Sequence, residues 1–264
     1  MSTRDISVQS INQIEKTLQS LPPGKQKEFL SALKADNRLG VQKLALKTES
    51  RFRKIRLEEE SYKSLFAFER DMHEKGFKHI AGVDEAGRGP LAGPLVSAGV
   101  VLPGDKTIPG LKDSKKLSAK KREEIYSVIV DTALSYTVRV YDNQTIDSRG
   151  LHRTNLEALK TAAEDLHIRP DFVLVDGYKI STLSITNLKV IKGDIVSASI
   201  AAASVIAKVS RDRIMLDYHE QYPQYGFDSH KGYGSEKHFE ALKAHGLTPI
   251  HRLSFQVLEQ FNKK

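Results

Sequence analysis

Asp84 and Glu85 close the apolar run Ile80-Ala81-Gly82-Val83, Asp176 closes the run from Phe172 to Val175, and Asp194 follows the run around Val190. An isolated Asp-Glu pair is commonly no more than a surface turn. Acids at the ends of several strands are different. Strand ends in a mixed sheet can meet at one spot, where the carboxylates would repel strongly unless cations lay between them. The chain has no cysteine, which excludes disulfides, thiolate nucleophiles and Cys-based zinc sites. A hard divalent ion such as magnesium or manganese is the natural cation, because it takes oxygen ligands and binds through few carboxylates plus substrate phosphate.

Directly after Glu85 comes Ala86-Gly87-Arg88-Gly89-Pro90-Leu91-Ala92-Gly93-Pro94. A dinucleotide-binding turn needs a helix right after its glycines, and Pro90 and Pro94 oppose one. Two glycines around an arginine instead allow the backbone to approach a ligand closely, with a guanidinium suited to phosphate or ribose oxygens; a glycine turn with a surface arginine is the plainer alternative. Lys112-Asp113-Ser114-Lys115-Lys116 precedes an expected helix. Its lysines and amides either meet a phosphate or form a solvated charge run. Tyr233 lies between Gly232 and Gly234 beside His230 and Lys231, and it either stacks on a sugar or base or packs in a hairpin. Asp228-Ser229-His230 is no catalytic triad, since adjacent residues rarely converge as nucleophile, base and orienter. The other histidines show no ligand spacing.

The elements that must position these residues are legible as apolar patterns. Strands are expected over His79 to Asp84, Leu95 to Leu102, Tyr136 to Tyr141, Phe172 to Val175 and Leu188 to Ile191. Helices are expected from Ser118 to Ala133, from Thr154 to Leu166, and from Val196 to Val209 with continuation towards Tyr218. Residues 77–264 thus read as a mixed α/β domain with strands first and helices later. Residues 1–76 read as a helical extension: they hold 15 Lys plus Arg, 11 Asp plus Glu, two prolines and three glycines. Its helices are expected over Ile6 to Leu21, Lys25 to Ala35 and Val41 to Lys75.

Over all 264 residues, 41 Lys plus Arg against 33 Asp plus Glu give a net charge of +8, so a polyanion is the first partner to consider, nucleic acid ahead of a membrane surface. The start, Met-Ser-Thr-Arg-Asp, has no apolar signal region, and the charge-free run ending at Gly104 is too short and too broken by Gly and Pro to span a bilayer. A cytoplasmic protein with no membrane partner is expected.

Taken together and in order, Gly82-Val83-Asp84-Glu85-Ala86-Gly87-Arg88-Gly89-Pro90, Asp113-Ser114-Lys115-Lys116-Leu117, Val175-Asp176-Gly177, Lys192-Gly193-Asp194, the helix from Ser199 to Lys208 with Arg211-Asp212, and His230-Lys231-Gly232-Tyr233-Gly234 closely resemble bacterial ribonuclease HII, the type 2 ribonuclease H. The resemblance spans nearly all of residues 77–264. It implies a ribonuclease H-like mixed five-stranded sheet flanked by helices, with a C-terminal helical region that helps hold the duplex. It also implies an endonuclease that cuts RNA in RNA/DNA hybrids and at single ribonucleotides in duplex DNA, leaving 3′-hydroxyl and 5′-phosphate ends. By motif position, Asp84, Glu85, Asp176 and Asp194 are implied as catalytic metal ligands for Mg2+ or Mn2+ in a two-metal mechanism. Gly87, Arg88 and Gly89 are implied as readers of the ribose 2′-hydroxyl, and Tyr233 as the ring against the sugar at the RNA–DNA junction; Lys115 and Lys116 remain substrate-binding candidates from their loop position alone. A monomer is expected. A sister ribonuclease HIII-type enzyme and a non-catalytic nucleic-acid-binding module are the alternatives; the Gly-Arg-Gly sequence and Tyr233 favour the former family over the sister type, and four strand-end acids argue against a mere binding module.

Overall fold

The computed structural model describes residues 6–261 except 105, 107, 112, 113, 115 and 116, leaving aside the side chains of residues 23, 58 and 61. The chain divides into two compact units, Met1–Ser61 and Tyr62–Lys264.

In the first unit, α1 (Ile11–Ser20) begins at Ser10, whose hydroxyl accepts from the Gln13 amide while the Gln13 side chain returns a bond to the Ser10 backbone. This reciprocal cap sets the helix start five residues later than the apolar pattern suggested. Helix α2 (Pro23–Lys34) starts on a proline that fits a first helical turn. Ile14, Leu18, Phe29, Leu33, Val41 and Leu44 form the unit's own core with the first part of α3 (Leu39–Leu65).

Helix α3 runs across the division, and α4 (Ala67–Glu74) follows after a break at Phe66, where one helix had been expected to continue to Lys75. The expected boundary near Phe77 falls inside the second unit. Tyr62, Leu65 and Phe66 share a core with Val100, Ile125 and Val205, and Met72 packs with Ile80, Phe172 and Ile200. Their apolar side chains are satisfied by the sheet and its helices, so packing overrides the change in sequence texture at Phe77.

The second unit is built on a five-stranded mixed sheet in the order β3-β2-β1-β4-β5. Strand β1 (Ile80–Ala86) is central, antiparallel to β2 (Leu95–Val101) and parallel to β4 (Phe172–Asp176). β3 (Ser135–Tyr141) and β5 (Asn187–Val190) are the edges. Between them come α5 (Ala119–Thr132), α6 (Asn143–Arg149) and α7 (Leu151–Glu164). The helix expected from Val196 towards Tyr218 is α9 (Ala198–Gln221), capped by the Ser197 hydroxyl on the Ile200 amide and preceded by a separate turn, α8 (Gly193–Val196). Helix α9 lies so close on β1 that a Cβ at Gly82 would overlap the Ser199 and Ile200 backbone. Gly82 and the buried alanines of α9 therefore set the distance between helix and sheet. A third core under α10 (Phe227–His230) and α11 (Glu236–His245) gathers Leu91, Met215, Tyr225, Phe227, Leu242 and Ile250.

Candidate active site

Strand order brings the acids together. β1 and β4 are adjacent and parallel, so their C-terminal ends, carrying Asp84 and Asp176, lie side by side. The Gly193 amide donates to Asp176 Oδ1 at 2.7 Å, which ties the turn bearing Asp194 to the end of β4. Asp84 and Asp194 are buried, and Glu85 and Asp176 are partly exposed. Burial first, then the charges of Glu85 and Asp176, push the Asp84 carboxyl well above the usual carboxylate range. The Ser204 hydroxyl on α9 and the Glu85 amide, which donates to Asp84 Oδ1 at 2.7 Å, act the other way. Ser204 is in turn bonded to Ser114 at 2.9 Å.

A buried carboxyl crowded by two others is a poor place for an unaided negative charge and a good one for a divalent cation, and its donors are oxygens only. That donor chemistry fits magnesium or manganese. Among the described residues no group of three or more His, Asp or Glu side chains has the geometry of a finished ligand set.

Gly87, Arg88 and Gly89 follow the end of β1. Arg88 and Gly89 are exposed, and Gly87 is buried at φ +99°. The Arg88 guanidinium lies 3.6 Å from Glu85 Oε1 and 5.2 Å over the Tyr178 ring, so it is already held at the rim of the acidic site. Tyr233 is 46% exposed. It follows the helical turn α10 rather than sitting in a hairpin, and its ring edge faces Gly89. The structure thus brings Tyr233 to the Gly-Arg-Gly loop, which residues so far apart in sequence do not announce. Lys115 and Lys116 lie outside the described residues.

Several residues that shape the site receive no role from the sequence, Arg211 among them although it stands in one of the matching motifs. Arg211 and Arg252 are fully buried and bind backbone carbonyls around the loop. Burial pushes their guanidiniums down to about 10 and about 9, still cationic at neutral pH. Glu69 on α4 is buried too, and its Oε1 accepts from Ser197 Oγ (2.6 Å), Ser199 N (2.8 Å) and Ser199 Oγ (2.6 Å). A carboxylate at the start of α9 satisfies amides there and complements the helix dipole. It fixes the segment that directly follows Asp194. A charged residue within a helix-forming run, with Asp71 and Glu74 close by, ordinarily reads as solvated, so no local signal marked Glu69 for this role.

The chain matches the family described as Ribonuclease HII over residues 81–258 and the Ribonuclease HII N-terminal domain over residues 10–73. These matches part near residue 76, whereas packing divides the chain at Ser61. Ribonuclease HII of Clostridioides difficile is 44% identical over 246 residues, 93% of this chain and 96% of that protein. That of Desulfitobacterium hafniense is 42% identical over 257 residues, 97% and 98% of the two chains. That of Endomicrobium trichonymphae is 51% identical over 195 residues, covering 74% and 93%. Among solved structures, ribonuclease H2 from Pyrococcus horikoshii superposes with TM-score 0.61 at 30% identity, over 71% of this chain and all of that one. The RNase HII of a PCNA complex from Archaeoglobus fulgidus gives 0.60 at 26% identity, over 68% and 96%. With sheet order, strand-end acids and matches agreeing over most of its length, this chain belongs to the ribonuclease HII family and is a type 2 ribonuclease H, an endonuclease.

Proposed function

We propose that the chain hydrolyses the RNA strand of RNA/DNA hybrids and nicks duplex DNA at single embedded ribonucleotides, leaving 3′-hydroxyl and 5′-phosphate ends. It does so as a cytoplasmic monomer with magnesium or manganese, two ions per site. The observation that carries this reading is the convergence of Glu85 and Asp176 on buried Asp84, at the mouth of which stands the Gly87–Gly89 loop.

Asp84, Glu85, Asp176 and Asp194 would hold the metal. When bound, a divalent ion supplies an activated water and relief of charge on the leaving oxygen. The residues of the chain position the substrate around that centre. The exposed amides of the loop approach the ribose, whose 2′-hydroxyl is what separates RNA from DNA. Arg88 offers a planar donor to an oxygen beside it. The exposed Tyr233 ring stacks on the sugar next to the loop. Among the described residues no helix is long and apolar enough to cross a membrane.

The test is nicking of a duplex carrying one ribonucleotide against an all-DNA control, with magnesium and with excess chelator. Cleavage of the first substrate alone, abolished by the chelator, is expected. Asp176→Asn should lose most cleavage while still binding duplex, because the substitution weakens metal binding more than phosphate contacts. Cutting of both duplexes alike, undiminished activity in chelator, or a wild-type rate for Asp176→Asn would overturn the reading. The non-catalytic alternative predicts binding with no cleavage at all.

A further inference from the structure

Arg252 lies in the C-terminal segment, far in sequence from the loop at residues 87–89, and is fully buried. Among the described residues it makes no ion pair. Its five hydrogen bonds all go to backbone carbonyls: Nη2 to Gly87 at 2.6 Å, Nη1 to Arg88 at 3.0 Å, Nε and Nη2 to Gly93 at 3.0 and 2.9 Å, and Nη2 to Pro94 at 3.1 Å. A buried cation that bonds only neutral carbonyls, with Asp147 as a favourable charge beyond ion-pair distance, is costly to keep, and an apolar residue of similar volume commonly does as well for stability alone. Only the guanidinium fork can reach so many carbonyls at once; a lysine has three donors on a single point. A trans peptide is planar, so holding the Gly87 and Arg88 carbonyls inward turns the Arg88 and Gly89 amides the opposite way.

The neighbouring residue does the same for Tyr233. The Thr248 amide donates to His251 Nδ1 at 2.9 Å, so neutral His251 carries its proton on Nε2. His251 Nε2 then donates to His238 Nε2 at 3.0 Å, which leaves His238 Nδ1 to donate to the Tyr233 carbonyl at 2.9 Å. The chain between the two readers is sewn to both: the Leu91 amide donates to Gly232 O at 2.8 Å, and the Arg252 amide to Leu91 O at 2.9 Å.

We infer that His251 and Arg252 are a pair of positioning residues that hold the Gly87–Gly89 amides and the Tyr233 ring in one register, and so set selectivity for the ribose at the cleaved bond. The inference rests on the proposed reading of that loop and ring as ribose contacts.

The experiment measures cleavage of a duplex with one ribonucleotide, and of the same duplex with a 2′-fluoro nucleotide in its place, by the full chain and by Arg252→Lys and His251→Gln. Folding is checked by circular dichroism and thermal melting. Folded variants are expected to raise KM on the ribonucleotide substrate about ten- to a hundred-fold and to narrow the preference for the 2′-hydroxyl. A purely structural role would lower the melting temperature and the active fraction while leaving KM and preference as in wild type, and that result overturns the inference. If Arg252→Lys fails to fold, His251→Gln decides by the same measurements. A wild-type protein that shows no 2′-hydroxyl preference would instead refute the reading of the loop, independently of either variant.

Discussion

A methyl group added at Gly87 would overlap the Arg211 side chain, and the residue sits at φ +99°, where an L side chain is strained whatever the space. At Gly89 the same methyl meets only the Tyr233 ring edge, at an ordinary 3.5 Å, and no unusual φ is required. Two glycines that look equivalent in sequence therefore separate. Gly87→Ala should cost on the order of 1–3 kcal/mol of stability and lose cleavage. Gly89→Ala should melt like wild type and lose cleavage only through crowding between loop and ring. Thermal melting with nicking kinetics checks this, and equal melting losses for the two variants would contradict it. The nearness of Asp84, Glu85 and Asp176 was legible because they end apolar runs that form neighbouring strands, whereas Asp194 sits in the turn α8, beyond the end of β5. The buried roles of Arg211, Arg252 and Ser204 were not legible. A lone arginine or serine reads as surface, and nothing local signals that a distant loop supplies carbonyls or a carboxylate for it.

At the scale of elements, α9 was legible from its alanines, but the turn α8 before its Ser197 cap and the break of α3 at Phe66 were not. Both depend on contacts made after folding, such as the Glu69 carboxylate on Ser197 and Ser199. The pairing of α11 with the segment around His251 carries a pH dependence. Burial pushes both His238 and His251 down to about 4, with His230 adding its effect on the first and His238 on the second. The unfolded chain keeps ordinary imidazoles near pKa 6.5. Between about pH 6.5 and 4 the unfolded chain binds protons that the folded chain excludes, so stability falls as pH falls through that window and is untouched above it. One histidine shifted this far is worth on the order of 3 kcal/mol at the acid end. Melting temperatures followed from about pH 7.5 to about 4.5 should fall more steeply for wild type than for His238→Gln. Parallel slopes would mean that the pair is not held neutral.

For the whole molecule, the texture of the sequence at Phe77 and the packing boundary at Ser61 imply different minimal enzymes. Starting at Phe77 removes Tyr62, Leu65, Phe66 and Met72 from the cores of the second unit, together with the Glu69 cap on α9. Burial of each large apolar side chain contributes about 1.5–3 kcal/mol, and four of them rival the whole stability of a typical domain, about 5–15 kcal/mol. A chain starting at Phe77 should therefore fail to fold stably, while one starting at Tyr62 keeps every one of these groups and should fold and cleave. The first unit has its own core, and Arg51, Arg53, Lys54 and Arg56 are exposed on α3. Basic side chains on a helix that the chemistry does not need fit contacts to duplex phosphates. Each contact adds roughly 0.9 to the slope of log affinity against log salt. The chain starting at Tyr62 should then bind hybrid duplex more weakly, with a higher KM and a shallower salt slope than the full chain, at a similar kcat. An unchanged salt slope would remove the first unit from duplex binding, and cleavage by a soluble, folded chain starting at Phe77 would show that α4 and the end of α3 are not needed to brace the catalytic unit.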